Sequence, residues 1–321
     1  MLLMFGVGAY LVAGYEVVAV ALGGTIAVLL QFKPELHAFA RRMGDKDFKA
    51  IMQFVLISLV ILPVLPNQAY GPYHVLNPFK IWLLVALIVG MRLGGYIVYK
   101  WVGAKAGTVL SGVLGGLISS TATTVSYARH AREAPETSSI AALIIMVAST
   151  VLNLRIIIIV GIVAPSLFWA LAGPLGAMLG AASVVTGGLW LLTRKETVAV
   201  PEQENPSELK PALIFALVFA LVQLGVSAVK QYFGSQGLYA LAFVSGLPDV
   251  DAITLSTLEM ARRMQLDPEV AWRMILLASL ANIVSKAAII AVVGNKKLLA
   301  RIAVPLSLTL IAGGLIFWLW P

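Results

Sequence analysis

The chain reads as an all-α polytopic membrane protein built from two inverted repeats, each containing a broken or re-entrant helix. Three observations carry that reading. Of 321 residues, 60% are hydrophobic and only 12% charged, with a mean hydropathy of +0.93. Soluble domains carry about twice that charge fraction. Apolar runs long enough to cross a bilayer recur from end to end, whereas the short alternating segments of a β-barrel do not occur. Finally, a pattern of small and polar residues recurs at a spacing of 130 residues in the second half. The length accommodates about 9–11 membrane helices.

Composition also excludes functions. With no Cys, disulfides, thiol catalysis and thiolate metal sites are ruled out. The net charge of +8 fits the cytoplasmic excess of Lys and Arg in membrane proteins, so no nucleic-acid partner is expected. There is no phosphate-loop motif, no H-E-x-x-H, and His37, His74 and His130 are scattered. No enzyme activity is expected, and Met1 opens without the basic region of a cleavable signal. The expected home is the plasma membrane of a bacterial or archaeal cell.

Residues 1–77 form the first region. Residues 1–14 and 16–32 read as a helical hairpin, which Lys33-Pro34-Glu35 closes. Residues 34–49, with Arg41, Arg42, Lys46 and Lys49, read as a basic interfacial segment. A span at 50–65 stops at Pro63 and Pro66, and the loop 67–77 has no Lys or Arg, as expected outside the cell. The first repeat (78–193) has spans at 78–100, 138–163 and 167–193 and a Gly-interrupted segment at 106–133. After a polar linker at 194–208, the second repeat (209–321) has spans at 209–231, 268–293 and 298–320 and an interrupted segment at 236–263. Gly116-Leu117 falls on Gly246-Leu247, Thr124 on Thr254, Ala148-Ser149 on Ala278-Ser279, and Arg155 on Lys286.

The interrupted segments decide the topology. If both re-enter, Arg129, Arg132, Arg194, Lys195 and Lys210 join the other basic loops inside, leaving Lys80, Lys230, Arg262 and Arg263 outside. If both span, this asymmetry largely disappears. The positive-inside rule therefore favours re-entry, which makes the second repeat inverted.

Gly115-Gly116-Leu117-Ile118-Ser119-Ser120-Thr121-Ala122-Thr123-Thr124-Val125-Ser126 and Gly246-Leu247-Pro248-Asp249-Val250-Asp251-Ala252 resemble two signatures of one family. It is the bacterial and archaeal membrane domain of unknown function that follows MgtC/SapB-type domains. The likeness covers roughly residues 20–320, with the upstream MgtC-type portion missing or reduced to residues 1–32. The resemblance supplies no substrate for this domain.

The candidate site lies where the two segments break. Asp249 and Asp251 are the expected metal or cation ligands, because carboxylates at membrane depth are costly and seldom idle. Thr254, Ser119, Ser120, Thr121, Thr123 and Thr124 add hydroxyls able to replace a hydration shell. Asn153 and Asn282 sit nearby as further ligands. Gly116, Gly246 and Pro248 are the expected hinges. Arg155 and Lys286 are the expected charge partners, with Lys286 preferred for the aspartates. Arg92 reads as snorkelling to an interface and Glu259 as surface-exposed. The carboxylates tilt the reading towards a secondary transporter or channel for a small inorganic cation, with no cofactor beyond a bound cation. The alternatives are an anion channel or transporter using helix N-termini, a regulator acting through helix contacts, and an intramembrane enzyme acting on lipid. The expected partners are the ion and the bilayer, with homo-oligomerisation left open.

Overall fold

A computed structural model describes residues 2–14, 19–20, 23–24, 26, 30–31, 45–102, 108–193 and 209–321. It divides into two units, residues 1–52 and 53–321. In the first, α1 (Leu2–Val12) is apolar but only 11 residues long, about 16 Å, short of a hydrocarbon core of about 30 Å. Most of the proposed second arm (16–32) and most of the basic segment (34–49) lie outside the described residues, as does the linker 194–208. Helix α2 (Asp45–Val55) begins in the first unit, and the π-helical turn Leu56–Ile61 and Leu62–Val64 belong to the second.

The second unit holds the rest: α3 (Pro78–Val102), α4 (Thr108–Glu133), α5 (Ser138–Val163), α6 (Phe168–Thr193), α7 (Leu209–Gly246), α8 (Asp251–Arg262), α9 (Pro268–Val293) and α10 (Lys296–Leu319). Among the described residues seven helices are long and apolar enough to cross a membrane, and two shorter apolar helices, Phe48–Val64 and Gly237–Gly246, accompany them. The chain is an all-α multi-pass membrane protein.

Two of the seven need qualification. Helix α4 reaches its length only across a break at Ser119, where the backbone is extended (φ −167°, ψ 108°). A Cβ placed on Gly115 would lie 2.5 Å from Thr123 Oγ1. A straight helix would separate these residues by about 12 Å along its axis, so the two arms fold back on each other. Helix α7 breaks at Gly234, whose positive φ of 62° only glycine adopts freely, and its apolar span ends at Tyr232.

Element lengths in the two halves correspond. Helices α5 and α9 are both 26 residues long and begin and end 130 residues apart (138 to 268, 163 to 293). The same packing contact recurs at that spacing. A Cβ on Gly116 would meet Ala148 O at 2.7 Å, and one on Gly246 would meet Ala278 O at 2.4 Å. Each broken segment therefore touches backbone to backbone the helix that follows it.

Helix α5 lies at the centre: 78% of its apolar window is buried, against 28% for α6 and α10, which present their sides to the bilayer. Nearly every residue from Ser138 to Ser149 is buried, including Ser138, Ser139 and Ser149, because helices surround α5. Trp169 near the start of α6 and Trp318 near the end of α10 are both exposed, and the Trp320 ring lies against Gly173. They mark one end of the bundle with the aromatic belt of a membrane interface. At the opposite end of α10, Asn295 caps the helix by accepting from Leu298 N at 2.7 Å, and its amide donates to Ala131 O of α4.

Candidate functional site

The break between α7 and α8 is built by Leu247, Pro248, Asp249 and Val250. Pro248 cannot continue the helix above it. Helix α8 then restarts with a free amide, which Asp249 satisfies: its Oδ1 accepts from Asp251 N at 2.7 Å. This is the capping role of a short carboxylate at a helix start. Asp251 is thereby turned inward and is wholly buried.

Two guanidinium groups meet the Asp251 carboxylate. Arg155 of α5 donates through Nη2 to both carboxylate oxygens, at 2.7 and 2.9 Å. Arg92 of α3 donates through Nη2 to Asp251 Oδ2 and to Asp249 Oδ2, each at 2.8 Å. Arg155 also donates from Nη1 to Leu117 O at 3.3 Å, at the C-terminal end of the first arm of α4. Those carbonyls lack helical partners, and a cation there is favoured by the helix dipole. The arginine thus joins the break in α4 to the break before α8. Arg155 and Asp251 are buried, whereas the side chains of Arg92 and Asp249 are 20% and 37% exposed, so the cluster opens on that edge.

Lys286 does not pair with the aspartates. Its Nζ donates to Ser149 Oγ at 2.9 Å, and Ser149 in turn donates to Ile145 O. The preference for Lys286 fails for a helical reason. The packing contacts recur at 130 residues, but Lys286 lies 131 residues after Arg155, so it is turned about 100° from the corresponding direction. Arg155, the other expected partner, makes the pair.

The remaining expected residues spread over two settings. Thr123 and Thr124 donate to Ser119 O and Ser120 O, each at 2.8 Å, and Ser119 Oγ accepts from Ala122 N at 3.2 Å. These hydroxyls satisfy the restarted second arm of α4. Ser120 is buried and Thr121 half-buried. Gly116, expected as a hinge, is helical: its missing side chain admits α5, and the break falls at Ser119. Gly246 is the last residue of α7, and Pro248 lies in the break. Asn153 accepts from Ser279 Oγ at 3.0 Å and donates to Ser149 O at 3.0 Å, joining α5 to α9. Asn282 reaches Gly246 O, while its Oδ1 is buried without a partner, as is Thr254 Oγ1.

The expectation of Asp249 and Asp251 as metal ligands meets a different arrangement. Their oxygens are committed to guanidinium and amide donors. Among the described residues, no three His, Cys, Asp or Glu side chains come together as a metal cluster would require.

Two residues read as peripheral prove to be ion-pair partners. Arg92 is an ion-pair partner and does not snorkel. Glu259, expected at the surface, is 3% exposed and accepts from Lys80 Nζ at 3.2 Å, Arg262 at 2.8 Å and Arg263 at 2.9 Å. The available signal for Arg92 was a charge within an apolar span. We expect Glu259→Gln to lower stability by about 1–3 kcal/mol, because one buried carboxylate holds three cations together. Thermal unfolding of the purified protein in detergent measures it; an unchanged midpoint would show that the cations separate without it.

A family profile described as a domain of unknown function (DUF4010) matches residues 86–294, well over half of the chain. The chain belongs to the DUF4010 family. The match takes in Arg92, the α4 break, Arg155, Asp249, Asp251, Glu259 and Lys286, and stops short of Lys80. An uncharacterized protein of Aquifex aeolicus (strain VF5) is 28% identical over 202 residues, covering 62% of this DUF4010 chain and 86% of the relative. No solved structure matches. Neither match links the chain to the MgtC/SapB family, so the resemblance read from the sequence holds for the membrane domain alone.

Proposed function

We propose that the protein is a secondary transporter or channel for a small anion, with its site around the Arg92, Arg155 and Lys286 cations where the broken helices meet. The observation that carries this is the charge inventory of the cluster. Arg92 and Arg155 bond the two carboxylates, Asp249 and Asp251, and a third basic side chain, Lys286, is buried close by on α9 against Ser149. When Lys286 carries a proton, that charge has no carboxylate partner among the described residues. In a low-dielectric interior an arriving anion neutralises the cluster, whereas a cation would raise its excess. This reverses the sign favoured by the sequence, where the two aspartates were visible and the pairing of Arg92 was not. The anion would be held by guanidinium and ammonium groups, since the two helix N-termini are already capped by Ser119 and Asp249.

Paired breaks that each abut the following helix suit a carrier built from two inverted halves, a recurrent transporter design. The plasma membrane is the setting this role implies. Arg92 lies on the open edge and would meet the ion first, exchanging Asp249 for it.

Proteoliposome flux assays with chloride and phosphate in separate arms, and with sodium and magnesium as cation arms, test the reading. The wild-type protein is expected to move an anion, and Arg92→Gln to slow it at least about tenfold, the scale of losing one charged contact. Cation flux without anion flux would restore the cation reading. Absence of any flux would favour a regulator acting through helix contacts.

A further inference from the structure

A second charged site lies away from the Asp251 cluster, where three helix ends meet. Lys80 is in the first turn of α3, Val163 is the last residue of α5, and Arg262 is the last residue of α8. These residues line a cleft of about 200 Å³ together with Glu259. The polar side of the cleft carries an excess of positive charge. Among the described residues Glu259 is the one carboxylate bonded by Lys80, Arg262 and Arg263, and it is almost fully buried. The side chains of Lys80 and Arg262 remain 36% and 44% exposed, with donors to spare.

The opposite side of the cleft is apolar. Leu83 and Leu87, on α3, and Ile162, on α5, form it. Leu83 and Ile162 are 45% and 55% exposed, so this wall opens on the flank of the bundle and not on a closed interior. The depth is set by the aromatic belt: Trp169, 87% exposed, follows Val163 by six residues at the start of α6. The cationic rim therefore sits at headgroup level, and the apolar wall runs from it into the hydrocarbon.

We propose that this cleft binds an anionic membrane lipid. Its phosphate lies between Lys80 and Arg262, and one acyl chain lies along Leu83, Leu87 and Ile162. The pairing follows from the two faces of the cleft. A free phosphate would satisfy the cations but leave the apolar wall unused. A zwitterionic lipid would bring its own cation against Lys80 and Arg262. A phosphate against Lys and Arg makes charge-assisted hydrogen bonds, about twice as strong as neutral ones. Glu259 binds both cations, Lys80 through Oε1 and Arg262 through Oε2, and keeps their repulsion from opening the cleft.

The test uses the full-length protein purified in an uncharged detergent and titrated with phosphatidylglycerol, phosphatidylcholine or inorganic phosphate, with bound species counted by native mass spectrometry. Phosphatidylglycerol is expected to bind well above phosphatidylcholine. Lys80→Gln/Arg262→Gln is expected to weaken it roughly thirtyfold, the loss of two surface basic contacts. Ile162→Trp, which fills the apolar wall and leaves every charge in place, is expected to weaken phosphatidylglycerol without restoring phosphatidylcholine. Equal retention of phosphatidylglycerol by both variants would overturn the proposal. So would inorganic phosphate binding as tightly as the lipid, which would make this a site for the free anion.

Discussion

Asp251→Asn is expected to destabilise the folded protein by about 3–5 kcal/mol, the cost of leaving buried charges without their partner. The substitution keeps the shape of the side chain and removes only its charge. Arg155 then keeps the Leu117 carbonyl but has no counter-ion in a buried position. Arg92 is hurt less, because Asp249 lies at 2.8 Å on its exposed side. The two arginines therefore respond differently when removed from the Asp251→Asn background. Asp251→Asn/Arg155→Met is expected to be more stable than Asp251→Asn alone, since the second change removes the orphaned charge. Asp251→Asn/Arg92→Met is expected to recover little. Denaturant titration in detergent, arranged as a double-mutant cycle, gives the coupling directly. A coupling near zero between Asp251 and Arg155 would mean that the ion pair carries no stability.

Gly246→Ala is expected to cost about 3 kcal/mol, at the upper end of overpacking penalties. A methyl there would lie 2.4 Å from Ala278 O and 2.5 Å from Ala278 Cα. Both are backbone atoms of a long helix, so neither can turn aside as a side chain would. Gly116→Ala meets Ala148 O at 2.7 Å and Ala148 Cα at 2.9 Å and is expected to follow with a smaller loss. Gly314 of α10 is the control, because a Cβ there meets nothing within 4 Å. Gly314→Ala is expected to be neutral or to gain up to about 1 kcal/mol from helix propensity. The same thermal-unfolding measurement ranks all three. If Gly246→Ala matched Gly314→Ala, α7 and α9 would not be in backbone contact.

The fold was legible because it rests on local signals. Apolar runs show where helices lie, and Pro248 and the flanking glycines show where one helix stops. The break in α4 was displaced by three residues, from Gly116 to Ser119. Glycine marks both bends and close approaches, and here it serves the approach to α5. The site was legible in part. Asp251 and Arg155 stand out as charges inside apolar runs. Which of the two expected cations, Arg155 or Lys286, meets Asp251 did not, since that depends on how helices far apart in sequence are rotated. Arg92 reaches Asp249 across 157 residues, and Lys80 reaches Glu259 across 179. Glu259 stayed hidden because its own neighbours, Arg262 and Arg263, make it look solvated. Its third partner, Lys80, comes from α3, which a reading along α8 does not include.

The Asp251 cluster also sets an order of events during synthesis. Both arginines belong to the first half of the chain, and the carboxylate that matches them belongs to the second. Arg155 emerges from the ribosome 96 residues before Asp251, and Arg92 emerges 159 residues before it. At translation rates of about 5–20 residues per second, Arg155 waits about 5–20 s for its counter-ion. During that interval α3 and α5 each hold a guanidinium that disfavours residence in lipid by about 3 kcal/mol. The two guanidinium groups thus weaken the hold of α3 and α5 on the lipid until α8 brings their counter-ion.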